Sequence, residues 1–575
     1  MLFNSPTYGV FLLGTFVVFW LVRRNRIARS LLLVGASYGF YFYGTFDAAR
    51  EQPVPLGPLG WSVLCLAIIF VGSTLDFWVG KQLGKTESPG RRKALLLMSI
   101  FYYLGVLSIF KYWNFAFDSI ADLMSALGVP FSPVHLRLVL PFGISFFTFE
   151  TMSYTIDVYR RELEPADRYL DYLLFVCFFP HLVAGPIVRP KDMLPQFRST
   201  PRYDGKQQAE GLWLIATGLV KKVMVGDTLA QNHVNRVFDN PERFSSIEVL
   251  IGVYAYAVQI YSDFSGYTDV AIGSAKLFGY ELPKNFDAPY TSTNLQEFWH
   301  RWHISLSSWL RDYLYIPLGG SRKSSIFTYR NLLITMVLGG LWHGASWNFV
   351  IWGALHGGAL AVTRMWQRRT GATPQTPSFL GHAVSTFLTF QYVCFAWVFF
   401  RASDFAHAKV VLVRIATAGW GTTNLTAKVV LLSSAALVVH FIPRRTTNAV
   451  RDRFVASPAL LQGAVLAVVA IALVDRVGRR PILLVGSAGM TVSLATMALA
   501  FSQADVVKGA PSLPGAWGPI ALVAANVFVV SFGASWGPVV WVLLGEIFPT
   551  RIRARALGVA AAAQWIANFL VTVSF

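Results

Sequence analysis

Ten histidines occur in this 575-residue chain, and one of them stands where an imidazole could do proton chemistry. His343 follows the apolar run Leu332–Leu341 and precedes Gly344, Ala345 and Ser346, small residues that leave room beside its ring. A nearly neutral imidazole in apolar surroundings suits general-base work, whereas a lone buried His is more often a hydrogen-bonded structural group. His300 and His303 lie three apart in LQEFWHRWHISLSSWLRDYLYIPLGG (295–320), so a continuous helix would place them on one face. That spacing could serve a metal, but no Cys or carboxylate set accompanies it at ligand spacing, and no metal is expected. Asp263 and Asp269 occur in YSDFSGYTD (261–269), where an isolated carboxylate is costly. They either face a functional interior or cap broken helices by bonding backbone amides.

The elements that must carry these residues follow from composition. Apolar residues make up 54% of the chain and charged residues only 14%, against about 25% in soluble domains. Repeated stretches of about 20 apolar residues can each cross about 30 Å of hydrocarbon as a helix, which predicts an all-α polytopic membrane protein. Lys and Arg, which give the chain its formal charge of +19, cluster in short loops at Arg23–Arg29, Lys81–Lys93, Arg160–Arg168, Arg364–Arg369 and Arg444–Arg453. This is the positive-inside pattern of cytoplasmic loops, and with no basic tract between stacking aromatics it excludes nucleic acid as a partner. Cys65, Cys177 and Cys394 lie inside apolar runs at unrelated spacings and read as small core residues. The N-terminal apolar run has its basic residues behind it and no cleavage site, so it is expected to be a retained helix.

Out-and-back pairs of apolar segments at 30–46 with 61–80, 94–113 with 138–158, and 383–402 with 427–443 return the chain to one side. The N-terminus is then outside, periplasmic in a Gram-negative inner membrane. Segment 458–474 breaks the scheme, because a single crossing separates two basic loops. Two unrelated pieces are expected to meet there.

Pro, Gly and charge interrupt the apolar pattern between 180 and 360, a feature tolerated at membrane depth only where protein or a wet cavity satisfies the backbone. The stretches PFGISFFTFETMSYTIDVYR (141–160), FFPHLVAGPIVRP (178–190), YSDFSGYTDVAIGSAKLFGY (261–280), NLQEFWHRWHISLSSWLRDYLYIPLGGSR (294–322) and LWHGASWNFVIWGALHG (341–357) resemble the membrane-bound O-acyltransferase family. The resemblance spans residues 5–455 and points to the bacterial branch of alginate O-acetylation and teichoic acid D-alanylation. It implies a ring of transmembrane and re-entrant helices around a central funnel. It also implies catalytic roles for His343, in the WHG motif, and His303, in the FWxRWHxS motif. His300 stands where the family has another polar residue, and no role carries over to it.

The resemblance further implies an acyl group moved from a cytoplasmic thioester, acetyl-CoA or an acylated carrier protein, with no bound cofactor. The acceptor would be an exopolysaccharide, reached with periplasmic O-acetylation proteins, and membrane lipids would surround the chain. Such a transfer needs a base for the alcohol and donors for the developing oxyanion. His343 can be the base. His303, Asn294 and the indoles of Trp342 and Trp347 are candidate donors or orienting groups, and Asp263 and Asp269 are candidate channel residues.

From about residue 470 the text resembles the C-terminal half of major facilitator sugar porters. The matching residues are Asp475, Arg476, Gly478, Arg479 and Arg480, then Gly537, Pro538 and Trp541, then Glu546, Phe548, Pro549 and Arg551. In those porters the Trp lines the sugar path and the acids and arginines gate it. Porters hold sugar between two halves, and one half is missing here. The expected organisation is an acyltransferase domain over 1–457, a junction at 458–474, and a porter-like segment of three to four helices over 475–575. The alternatives are a sugar transporter resting on the tail, or a non-functional gene fusion.

Overall fold

A computed structural model of the chain describes residues 3, 5–51, 54–136, 138–183, 185–322, 324–370, 378–477, 479–507 and 510–534. Helices dominate, and the described strands form one short ribbon, Asp505–Val507 against Ala510–Ser512. Two compact units divide the chain: residues 1–4 with 12–457, and residues 5–11 with 458–575.

In the first unit, three described helices are long and apolar enough to span a bilayer: Gly57–Lys85, Pro89–Ala126 and Phe379–Arg401. A fourth candidate is the pair Ala427–His440 and Arg444–Ala456, bent by 96°. Their outer faces leave Phe70, Trp78, Phe101, Phe379 and Phe387 exposed, as lipid-facing side chains must be. The protein is a multi-pass membrane protein.

The span expected at 138–158 is instead an interior helix, Ile144–Arg160, whose Phe147, Glu150, Tyr154 and Val158 are all buried. Protein surrounds it, and so a carboxylate can sit in its middle. Glu150 Oε1 accepts from the Val188 N–H at 3.1 Å and lies 3.1 Å from His181 Nδ1. Gly143 starts the helix at φ 68°, where a Cβ would stand 2.3 Å from the Leu182 carbonyl oxygen.

Three of the basic loops are tied together. Arg92 donates to the carbonyls of Leu83, Thr86 and Tyr159 at 2.5, 3.1 and 2.7 Å, satisfying the exposed ends of two helices at once. Arg161 pairs with Glu87, and Arg26 with Asp171.

Glycines let helices touch. In the hairpin of Ser325–His343 and Trp347–Thr370, a Cβ on Gly340 would fall 3.1 Å from Gly353 Cα and 2.1 Å from the Phe349 carbonyl oxygen. Gly211 against Gly273, and Gly218 against Gly266, likewise bring Gly205–Leu219 onto the long helix Ser246–Leu277. Small residues allow such backbone approach where lipid gives no hydrophobic drive to association.

The second unit contains helices Ala459–Val477, Arg479–Ser502 and Trp517–Ala534. The last two pack through small residues: Ser493, Ala500, Ala521 and Ala524 are buried, and a Cβ on Gly489 would lie 2.4 Å from Ser531 Oγ. Asp475, Arg476 and Arg479 fall at the facing ends of the first two helices. Trp541, Glu546 and Arg551 lie outside the described residues.

Candidate active site

The stretch expected to be one helix through His300 and His303 is broken. Leu295–Arg301 ends, Trp302 is extended, and His303 adopts φ 44° before Ile304–Leu310 begins. The two histidines therefore do not share a face: His300 is exposed, and His303 is buried. The left-handed turn costs energy for a residue with a Cβ, and the surrounding bonds hold it.

Those bonds come from Asn285. Its Oδ1 accepts from the Ser305 backbone N–H at 3.1 Å and the Ser305 hydroxyl at 2.9 Å, and it lies 3.1 Å from His303 Nδ1. The Ile304 N–H bonds the Asn285 carbonyl at 2.9 Å. A backbone N–H can only donate, so the atom facing it must be the amide oxygen, and His303 Nδ1 must then carry the proton. The lone pair is left on Nε2, which is buried without a hydrogen-bond partner among the described residues. Fixing one ring nitrogen in this way sets the chemistry of the other.

His343 ends the helix Ser325–His343, and rings surround it: Trp342 at 4.9 Å, Trp352 at 5.3 Å and Phe400 at 5.1 Å between centroids, all edge-on. The Trp342 indole also meets the His303 ring, at 6.2 Å. Both histidines line one cavity of about 390 Å³, together with Trp342, Ser145, Phe264 and Lys111. A neutral base, a second imidazole with an available lone pair and a cation thus converge on a space that fits a small acyl group and a hydroxyl.

The other sequence candidates offer no free donor in this cavity. The Trp342 N–H is taken by the Ser145 carbonyl at 3.2 Å, so it is no spare donor. Trp347 is 57% exposed, stands edge-on to Phe115 and is not part of the cavity wall. Asn294 caps its helix by accepting from the Glu297 N–H at 2.9 Å and lines a separate cavity of about 620 Å³.

Asp263 and Asp269 neither cap a helix nor line the histidine cavity. Both project from the middle of Ser246–Leu277 and pair with lysines, Asp263 with Lys222 at 2.8 Å and Asp269 with Lys221 at 2.6 Å. The lysines are presented by a π-helical turn, Val220–Gly226. Gly226 lies so close that a Cβ there would stand 2.3 Å from Asp263 Oδ1. Both carboxylates are half-buried, where a paired charge is tolerated. Sequence reasoning also missed Lys111, Asn285 and the Glu150–His181 contact. Only the charge of Lys111 and Glu150 inside apolar text could have flagged any of them. Among the described residues no group of three or more His, Cys, Asp and Glu gathers at metal-binding distance.

Comparison with known proteins defines the class. Residues 167–403 match the profile of MBOAT, the membrane-bound O-acyltransferase family. Over 451 residues the chain is 39% identical to the Pseudomonas putida protein named "Probable alginate O-acetylase AlgI", covering 77% of this chain and 86% of the relative. A peptidoglycan O-acetyltransferase of Helicobacter pylori is 34% identical over 442 residues, 72% of this chain and 79% of the relative. The tail differs: residues 455–575 match the sugar (and other) transporter profile. There the chain is 60% identical over 107 residues to a glucose transport protein of Synechocystis, covering 19% of this chain and 23% of the relative.

A helical membrane protein with this cavity and these relatives is a membrane-embedded O-acyltransferase. The chain belongs to the membrane-bound O-acyltransferase family, with a partial sugar-porter-like sequence at its C-terminus.

Proposed function

We propose that the protein moves an acetyl group from a cytoplasmic thioester to a hydroxyl of an extracytoplasmic polysaccharide, directly or through a periplasmic partner. Its donor is acetyl-CoA, with a carrier-protein thioester as the competing choice, and no cofactor stays bound. The observation that carries this reading is the cavity shared by His303 and His343 in a chain whose relatives are named for O-acetylating alginate and peptidoglycan.

His343 takes the hydroxyl proton as the oxygen attacks the thioester carbonyl, and returns it to the departing thiolate when the C–S bond breaks. His303, protonated on Nδ1 by virtue of Asn285, offers the Nε2 lone pair to a neighbouring hydroxyl of the sugar and so orients the acceptor. The protein sits in a bacterial inner membrane with its N-terminus outside, which places the tied basic loops in the cytoplasm.

Residues 1–457 form the acyltransferase, 458–474 the junction and 475–575 a porter-like segment without a sugar path of its own. Purified full-length protein in lipid nanodiscs should release CoA from acetyl-CoA in step with acetyl ester formation on an added polysaccharide fragment. Absence of thiol release with acetyl-CoA and with an acetylated carrier protein alike would refute the assignment.

A further inference from the structure

The described helix Pro89–Ala126 has a π-helical turn at Ser108–Tyr112, and this turn grips the end of the helix that carries His343. The Tyr112 hydroxyl donates to the Leu341 carbonyl at 2.9 Å, and the Lys111 ammonium to the Trp342 carbonyl. Lys111 Nζ also donates to Ser145 Oγ at 3.2 Å, while the Trp342 indole bonds the Ser145 carbonyl. Three elements are thereby locked together at the residue preceding His343. π-Turns recur at functional sites because they re-aim side chains that a regular helix would present elsewhere.

The ammonium is held, yet its charge is not neutralised. Its two oxygen partners are uncharged, and among the described residues no carboxylate pairs with it. The faces of Trp342 and Tyr112 lie 5.7 and 5.9 Å from Nζ, within cation–π reach. An ammonium has three N–H groups, so one remains after these two bonds. Lys111 lines the same cavity as His303 and His343.

We propose that Lys111 is a catalytic residue, the preorganised cation that stabilises the oxyanion formed on the thioester carbonyl. This rests on the thioester-dependent transfer proposed above. As the acceptor oxygen bonds to the carbonyl carbon, the C=O π pair moves onto oxygen and His343 holds the hydroxyl proton. Lys111 donates its third N–H to that oxygen. Collapse re-forms the C=O, breaks C–S and sends the proton to sulfur, leaving ester, thiol and an unchanged ammonium. A donor fixed in place before charge develops costs no reorganisation during the reaction.

The test measures kcat and KM for acetyl-CoA in full-length protein with a uronate trisaccharide and with its uncharged, carboxyl-reduced counterpart. Lys111→Met and Lys111→Gln are both expected to lower kcat by about 10²-fold with either acceptor while donor KM stays put. Gln can still bond the Trp342 carbonyl and Ser145, so recovery of kcat in that variant would reduce Lys111 to a positioning residue and overturn the proposal. A loss confined to the uronate, expressed as raised acceptor KM, would overturn it in favour of acceptor recognition. Lys111→Cys treated with 2-bromoethylamine restores an ammonium at nearly the same reach and is expected to regain turnover. Failure to regain it in protein that still binds acetyl-CoA would count against the proposal. Wild-type protein inert toward every thioester would instead sink the proposed function itself.

Discussion

The two units of this chain bury different things. In the acyltransferase unit the interior holds charge and hydrogen-bonding rings: Glu150 against His181, Asp263 against Lys222, and His303 on Asn285. In the tail, the described contact between its last two helices is made of Gly489, Ser493, Ala500, Ala521, Ala524 and Ser531. Small side chains let helices approach, and in lipid that suffices for association. Polar groups at depth cost several kcal/mol each unless partnered, so a unit that carries many of them has been built around chemistry. The described part of the tail calls for nothing beyond helices fitting together.

The comparison breaks most visibly at His343. Replacing it by Ala should lower acetyl transfer by about 10²–10⁴-fold, the usual loss for a general base, while membrane insertion and yield remain. Activity within a few-fold of wild type would remove the ring from the mechanism. His303→Ala should also reduce turnover. Asn285→Ala sharpens the point, because it keeps both imidazoles in the chain and removes the oxygen that holds the His303 Nδ1 proton, together with its bonds to Ser305 that brace the left-handed turn. Removing a partner that orients a metal-bound imidazole costs about 10–100-fold, and a loss of the same order is expected here. A kcat unchanged in Asn285→Ala would show that the tautomer does not matter.

These side chains also show how far the sequence could be read. The all-α membrane architecture was legible because hydrocarbon imposes long apolar helices, and His343 was legible because it ends such a run beside small residues. His303 was legible only by resemblance. Helical spacing put it on a face with His300, and the left-handed turn at φ 44° separates them, a break dictated by Asn285, which lies 18 residues earlier in the chain. The lysine partners of Asp263 and Asp269 come from a π-turn 41 and 48 residues away. Periodicity carries no information about such long-range partners. Lys111 stayed hidden for the same reason, since a single Lys in apolar text shows neither its π-turn nor the helix end it grips.

Smaller effects test the scaffold. Arg92→Ala leaves the carbonyls that end Gly57–Lys85 and Ile144–Arg160 without their shared donor. A loss of about 1–3 kcal/mol is expected, read as a lower Tm in detergent with kcat retained in protein that stays folded. An unchanged Tm would mean that water replaces the guanidinium at no cost. Asp404 caps the helix Phe405–Thr417, accepting from the His407 backbone N–H at 2.8 Å and from the Ser403 hydroxyl. The His407 amide bond, followed by the hydroxyl, holds its carboxyl below the usual Asp range. A depressed carboxylate adds stability above its unfolded-state pKa and loses it as pH falls through the folded value. The difference in Tm between wild type and Asp404→Asn should therefore shrink as the buffer is taken from neutral to strongly acidic, and a gap independent of pH would exclude the carboxylate as its source.

The smallest expected effect is the sharpest test of the comparison. If the tail serves no catalytic purpose, a stop codon after Ser457 should leave acetyl transfer within about two-fold of the full-length rate. The cut falls where the first compact unit ends, two residues after the transporter match begins, and well beyond the family match at 167–403. Residues 5–11 group with the tail rather than with the acyltransferase, so the truncated protein must also tolerate their loss of that company. A control deleting 475–575 but keeping 458–474 separates the junction helix from the porter-like helices. Porters hold sugar between two halves, and a match to 23% of one porter supplies no second wall for Trp541. Proteoliposomes of full-length protein should accordingly take up no more labelled glucose than empty vesicles. Uptake that disappears in Trp541→Ala would show that the tail transports after all.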